Sequence, residues 1–289
     1  MRLRILSPAK VNLFLRVTGR RADGYHRLFS LMCRVGLFDE IDLRPAASIR
    51  IACSDPALPR DEANLAVRAA VSFFSAARRA GGVAITLRKR IPVAAGLGGG
   101  SSNAASVLLG LNRLSGEPLP PLALKRLARR LGADVPFFLE AGPALATGVG
   151  DILEPCPNLA AYHLLLACPP FAVSTAAVFR NLNLRLTNCP KQLTKARFKK
   201  ECFDPARHLC NDLETVTLAL HPEIAAVKRR LLQAGALGAL MSGSGGSVFG
   251  LFTDAGETRR ALRGLAGEGG WRFFAAPLLT GPLTLIRQR

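Results

Sequence analysis

Between residues 91 and 105 the chain reads Ile91-Pro92-Val93-Ala94-Ala95-Gly96-Leu97-Gly98-Gly99-Gly100-Ser101-Ser102-Asn103-Ala104-Ala105, with four glycines in five positions. Glycine has no Cβ and enters positive φ freely, so successive backbone N–H groups can turn toward one point. The run Val83 to Arg88 alternates as a strand, and Asn103 to Leu114 predicts a helix. A glycine loop leading into a helix adds the partial positive charge of the helix N-terminus to its converging N–H groups, which makes a phosphate site. Ser101 and Ser102 add hydroxyl donors or a magnesium ligand. No Lys-Ser/Thr pair closes the glycines, so the loop is not a Walker A loop, and the G-x-G-x-x-G spacing of dinucleotide folds is broken.

At 289 residues the chain has room for two domains of roughly 150 residues, and it needs no disulfide or metal to fold. The turn residues around Pro155 and Pro157 place the boundary near residue 155, giving domains 1–155 and 156–289. Lys and Arg number 39 against 20 Asp and Glu, a net charge of +19, which raises nucleic acid or a multiply phosphorylated ligand as partners. Arg supplies 31 of the 39, the charge is spread along the chain, and its densest stretches lack the interleaved aromatics that stack bases. The basic connector Lys191 to Glu201 reads as solvated surface. Seven cysteines without a C-x-x-C pair predict neither a disulfide framework nor a zinc site, and fit a reducing cytoplasm. The start lacks the apolar core of a signal peptide, and no stretch approaches the roughly 18 apolar residues of a membrane span.

Leu3 to Leu6 and Val11 to Val17 predict two strands separated at Pro8, and Leu28 to Val35 and Glu40 to Arg44 two more. Helix-start chemistry at Asp61 to Asn64 predicts a helix through Arg79, ended by Gly81-Gly82. Further helices are expected at Leu122 to Leu131, Pro222 to Gln233 and Gly256 to Leu265, and strands at Leu164 to Ala167, after the glycine turn that follows Leu240, and at Leu278 to Ile286. Strands and helices interleave without strict alternation, which is an α+β pattern.

Pro92 followed by Gly96 through Ala105 resembles the ATP-binding motif of the GHMP kinases, a family of small-molecule kinases. Pro8-Ala9-Lys10-Val11-Asn12-Leu13 is similar to the family's N-terminal motif, and Met241-Ser242-Gly243-Ser244-Gly245-Gly246-Ser247 to its C-terminal glycine turn. The resemblance implies an α+β fold of two domains, the first like domain 2 of ribosomal protein S5 and the second ferredoxin-like. It implies ATP and magnesium as cofactors, bound at Pro92, Val93, Ala94, Ala95, Gly96, Leu97, Gly98, Gly99, Gly100, Ser101 and Ser102, with Lys89 and Asn64 lining the adenosine site. Val93-Ala94-Ala95 departs from the family, where glycine or methionine is common.

The segment from Pro8 to His26 and the loop Leu131 to Phe138 look like the branch of the family that phosphorylates the 2-hydroxyl of a cytidine-diphosphate-linked polyol for non-mevalonate isoprenoid synthesis. In that branch Asp134 is the proton acceptor and Lys10 its catalytic partner. Asn12, Tyr25, His26, Thr175 and Phe179 hold the substrate, with Tyr25 and His26 against the cytosine. Another GHMP kinase, such as a homoserine kinase, and a basic nucleic-acid binder remain open as alternatives, as do the oligomeric state and the direct ligands of the metal.

Overall fold

In a computed structural model of the chain, residues 2–156, 158–184, 187, 189–190, 198, 203–281 and 286–288 are described. Most of the connector 191–201 lies outside them.

Two long antiparallel strands, β1 (Leu3–Arg20) and β2 (His26–Ala46), form the spine. Each was expected as two shorter strands. Pro8 does not end β1, because the ladder shifts register at Pro8/Ala9 and passes over Gly36 and Leu37 of β2, so the missing N–H breaks no regular rung. A second shift between Asn12 and Phe14 matters more for function. In an uninterrupted strand, residue 14 would follow Lys10 and Asn12 on one face. The extra residue instead turns Phe14 into the core and brings Leu15 onto the face of Lys10 and Asn12, opposite Ser30 and Met32 of β2.

On the opposite edge of β2 lies β4 (Gly82–Arg88), which also pairs in parallel with β3 (Arg50–Cys53). Three helices cover this sheet: α1 (Leu65–Ala77), α2 (Gly99–Leu114) and α3 (Pro121–Leu131). Their buried faces, with Phe73, Leu108 and Leu127, join Ile5, Ile41 and Ile85 in one core. Helix α1 ends at Ala77, two residues before its expected end. Arg78 takes the left-handed conformation there, with its N–H accepted by the closing carbonyls of the helix. Helix α2 begins at Gly99, four residues before its expected start, so the last glycines of the loop are themselves the first helical turn.

The hairpin of β5 (Ala144–Thr147) and β6 (Ile152–Pro155) adds to β2 across Ser30 to Met32. Strand β7 (His163–Cys168) then opens an antiparallel sheet ordered β11, β7, β10, β9, with β9 at Gly238–Met241, β10 at Val248–Phe252 and β11 at Arg272–Leu279. The final strand was expected at Leu278 to Ile286. Pairing with β7 moves it forward, and Leu278 and Leu279 also pair with Val35 and Arg34 of β2, which joins the two halves through a shared strand. Strand β12 (Ile286–Gln288) pairs with β1.

Helices of the second half are α4 (Thr175–Arg180), α5 (Pro205–His208), α6 (Glu214–Leu220), α7 (Glu223–Gln233) and α8 (Ala255–Leu265). Between α5 and α6, the two-residue strand β8 (Cys210–Asn211) runs parallel to β1 at Phe14 and Leu15. Cysteine spacing gave no sign of a disulfide, yet Cys189 and Cys210 form one, with Cα atoms 5.4 Å apart. The packing of β8 on β1 brings together two thiols 21 residues apart in sequence. Among the described residues no helix is long and apolar enough to cross a membrane.

Candidate active site

A cleft of about 1110 Å³ opens where β1, β2, the glycine loop, α4 and the second glycine turn meet. Its floor is the face of β1 and β2 set by the strand irregularity, with Lys10, Asn12 and Ser30. Lys10 is almost fully buried. Its backbone N–H donates to Leu97 O at 2.9 Å, pinning the strand beneath the glycine loop. Its Nζ donates to Asn12 Oδ1 at 2.7 Å and lies 3.3 Å from Asp134 Oδ2. Asp134 is about one-third exposed, in the turn between α3 and the short helical turn Pro136–Leu139. The arrangement is a carboxylate at the mouth of the floor, ion-paired with a buried cation, with open space above both.

The glycine loop needs its glycines at two positions in particular. Gly98, at φ +67°, caps α2, and a Cβ there would stand 2.9 Å from Lys10 Cγ, so the lysine stem passes directly under it. Gly96, at φ +75°, packs its backbone against the second glycine turn. A Cβ would fall 2.2 Å from Ser242 O, and Ser242 Oγ donates to Gly96 O at 2.9 Å. The two glycine motifs, some 150 residues apart in sequence, therefore touch backbone to backbone. Asn211 Nδ2 holds the second turn by donating to Met241 O at 2.9 Å and Gly243 O at 2.7 Å, and Glu214 accepts from Met241 N at 2.8 Å.

The structure brings nearly all of the expected residues to this one cleft. Lys10, Asn12, Tyr25, His26, Asn64, Lys89, residues 92–101, Asp134, Thr175 and Phe179 all line it. Ser102 does not. Its hydroxyl is fully buried, 2.9 Å from Ser7 Oγ beneath α2, so the expectation that it ligates a metal is corrected: the serine hydroxyl of the loop that borders the cleft is that of Ser101. Asn64 borders the cleft with its amide already engaged. It caps α1 by accepting from Ala66 N at 3.0 Å and donates to Pro59 O at 2.9 Å. Lys89 is ion-paired to Asp39, a fully buried carboxylate that also accepts from the N–H groups of Arg90 and Ile91 at 2.8 and 2.9 Å.

At the far end of the cleft His26 stacks on Phe179 with ring centroids 5.3 Å apart, and Tyr25 stands mostly exposed beside them. Thr175 Oγ1 lies 2.7 Å from Ser244 Oγ, tying α4 to the second glycine turn. Burial, with the nearby Arg20 cation, lowers the pKa of His26 from the ordinary histidine value, so its ring is neutral at neutral pH. Sequence reasoning missed Asp39, Ser30 and Asn211. Each is an ordinary polar residue in a strand-forming stretch, and only tertiary packing makes it buried and bonded.

The model of the GHMP kinases N terminal domain matches residues 64–142, and that of the GHMP kinases C terminal matches residues 194–269. The 4-diphosphocytidyl-2-C-methyl-D-erythritol kinase of Syntrophotalea carbinolica is 47% identical over 272 residues, covering 93% of this chain and 96% of the relative. The chain belongs to the GHMP kinase family. A second GHMP kinase, the 4-diphosphocytidyl-2-C-methyl-D-erythritol kinase of Syntrophus aciditrophicus, is 46% identical, covering 94% of this chain and 98% of its own. A crystal structure of 4-(cytidine 5'-diphospho)-2C-methyl-D-erythritol kinase superposes with a TM-score of 0.80 at 39% identity, covering 96% of this chain and all of that one. The homoserine kinase of Cytophaga hutchinsonii, at 21% identity and a TM-score of 0.71, shares the GHMP kinase fold over 99% of this chain and 96% of its own.

Proposed function

We propose that this GHMP kinase transfers the γ-phosphoryl group of ATP to the 2-hydroxyl of 4-diphosphocytidyl-2-C-methyl-D-erythritol, a step toward isoprenoid precursors in the cytoplasm. The observation that carries the reading is a single cleft with the Lys10–Asp134 pair on its floor, the glycine loop along one wall and a stacked aromatic pair at its end. Relatives 43–47% identical over nearly the whole chain bear the name of that kinase, which supports the choice of acceptor.

In this reading the N–H groups at the start of α2 receive the triphosphate, and Lys89 and Asn64 border the adenosine, Asn64 as the cap that shapes the wall and Lys89 with its charge balanced by Asp39. The acceptor hydroxyl oxygen attacks the γ-phosphorus while the bond to the β–γ bridging oxygen breaks, releasing ADP. The hydroxyl proton passes to Asp134, and Lys10 offsets negative charge on the transferring group. Magnesium is carried on the triphosphate and neutralises phosphate charge when bound. Tyr25, His26 and Phe179 take the cytosine, and Asn12 and Thr175 flank the rest of the substrate. Domains 1–155 and 156–289 each contribute one glycine turn to the site. ATP and the diphosphate acceptor engage few of the 39 basic residues, and the remainder have no part in this reading.

Rates of ADP formation on a panel of alcohols test the assignment. Turnover is expected on the cytidine-linked acceptor and not on homoserine or mevalonate; the reverse pattern rejects it. The lowered pKa of His26 sets a second expectation. The neutral ring persists from about pH 7 upward, so the KM for the acceptor is flat there, and it rises as pH falls through the lowered pKa and the ring becomes charged. His26→Gln removes that rise. A KM that climbs equally in this variant places the titrating group elsewhere.

A further inference from the structure

The buried cation on the floor of the cleft is oriented by a chain of hydrogen bonds whose direction can be read link by link. An ammonium group only donates, so the Asn12 atom 2.7 Å from Lys10 Nζ is the amide oxygen. The other end of that amide is therefore the nitrogen, which donates to Ser30 Oγ at 2.8 Å. Having accepted there, the Ser30 hydroxyl sends its own proton to the Phe14 backbone oxygen, 2.6 Å away. All three residues are at most 4% exposed. The terminus of the chain is a main-chain carbonyl inside β1, which cannot turn.

We propose that Ser30 is a positioning residue for phosphoryl transfer: by reading the Phe14 carbonyl it fixes which way the Asn12 amide faces, and so holds the Lys10 ammonium toward the transferring group. The Lys10 ammonium selects the amide oxygen at one end of Asn12, and the Ser30 hydroxyl, committed to the Phe14 carbonyl, selects the nitrogen at the other; without the hydroxyl the amide is held at one end only. A flipped amide presents N–H groups to an ammonium, which repels it. With the chain intact, Lys10 donates to Asn12 and is ion-paired with Asp134 at 3.3 Å, on the side of the cleft where the phosphoryl group would lie. Asn12 and Ser30 share a face because Asn12 pairs with Met32, two residues from Ser30 on β2, and the strand irregularity at Leu13 turns the Phe14 side chain off that face and pairs Leu15 with Ser30. Ser30 acts through Asn12 and is not assigned contact with either substrate.

The inference rests on the kinase reading above, so the variants are compared using whichever alcohol the wild-type chain phosphorylates, or basal transfer to water if none is accepted. A wrong acceptor then shows in the wild type and leaves the comparison readable. Ser30→Ala is expected to lower kcat between about ten- and a hundred-fold, with the KM for ATP changed less than about twofold. Ser30→Thr, which keeps the hydroxyl, returns kcat to within about threefold of wild type. The decisive arm is Asn12→Asp, whose carboxylate has two equivalent oxygens and no orientation to fix. In that background Ser30→Ala changes kcat by less than about twofold, a coupling that a purely structural role does not produce. The proposal is overturned by a Ser30→Ala kcat within twofold of wild type, by equal losses in Ser30→Ala and Ser30→Thr, or by the same fold-loss in both backgrounds. A melting temperature that falls in step with kcat across all variants also overturns it, by assigning Ser30 to the fold alone.

Discussion

Replacing Asp134 by Asn lowers kcat by about 10²- to 10⁴-fold while leaving the affinity for ATP nearly intact. The side chain keeps its shape and loses its capacity to accept a proton from the attacking hydroxyl. It also loses its charge, so Lys10 Nζ, 3.3 Å away, is left with Asn12 as its hydrogen-bonded partner. The stability cost is small, about 1 kcal/mol or less, because the carboxylate is about one-third exposed and water screens the pair. A large loss of turnover with an almost unchanged melting curve is therefore the signature. Initial rates from a coupled ADP assay, with nucleotide affinity from calorimetry, check it. A variant that keeps more than a tenth of wild-type kcat rules out Asp134 as the proton acceptor.

Lys10→Met is expected to lower kcat by about 10²- to 10³-fold, the range for removing one preorganised donor to a developing negative charge. Here the fold also suffers. Lys10 is nearly buried, its stem fills the space under Gly98, and its ammonium satisfies Asn12 Oδ1. Methionine replaces the stem but not the donor, leaving a buried acceptor unpaired at a cost of about 1–3 kcal/mol. The contrast between the two variants separates their roles: Asp134→Asn impairs turnover with little effect on stability, whereas Lys10→Met impairs both. Paired kinetics and thermal unfolding decide it, and a Lys10→Met kcat within a few fold of wild type removes the lysine from the mechanism.

The candidate site was legible in the sequence to an unusual degree because its parts are local. The glycine loop, the Tyr25-His26 pair and the segment around Asp134 are each a short stretch of residue types with a chemical meaning, and the cleft gathers them. Ser102 was misread because two adjacent serines in a loop look alike until the helix begins. Once α2 starts at Gly99, helical rotation sends Ser101 toward the cleft and Ser102 toward Ser7. Asn64 and Lys89 both border the cleft, but their bonds to the helix cap and to Asp39 were invisible in the sequence, since each partner comes from the path of the chain in three dimensions.

The long strands show the same division. Pro8 suggested that β1 was broken, and β2 was likewise expected as two shorter strands. Register shifts absorb these breaks, so the strands continue. Strand β11 was misplaced because its position is set by pairing with β7 and β2, strands more than a hundred residues earlier. The Cys189–Cys210 bridge depends on β8 lying beside β1.

Residue types alone mark out the glycine loop, the α+β class and the candidate polar and charged groups, because backbone freedom, hydrogen-bonding capacity and charge belong to residue types. Tertiary structure decided which of those groups face the cleft, which are spent on the fold, and which ordinary residues, Ser30, Asp39 and Asn211, orient the rest. Burial and partnership are properties of pairs brought together by folding. A serine on a strand has no direction to its hydroxyl until the carbonyl beside it and the amide above it are both in place.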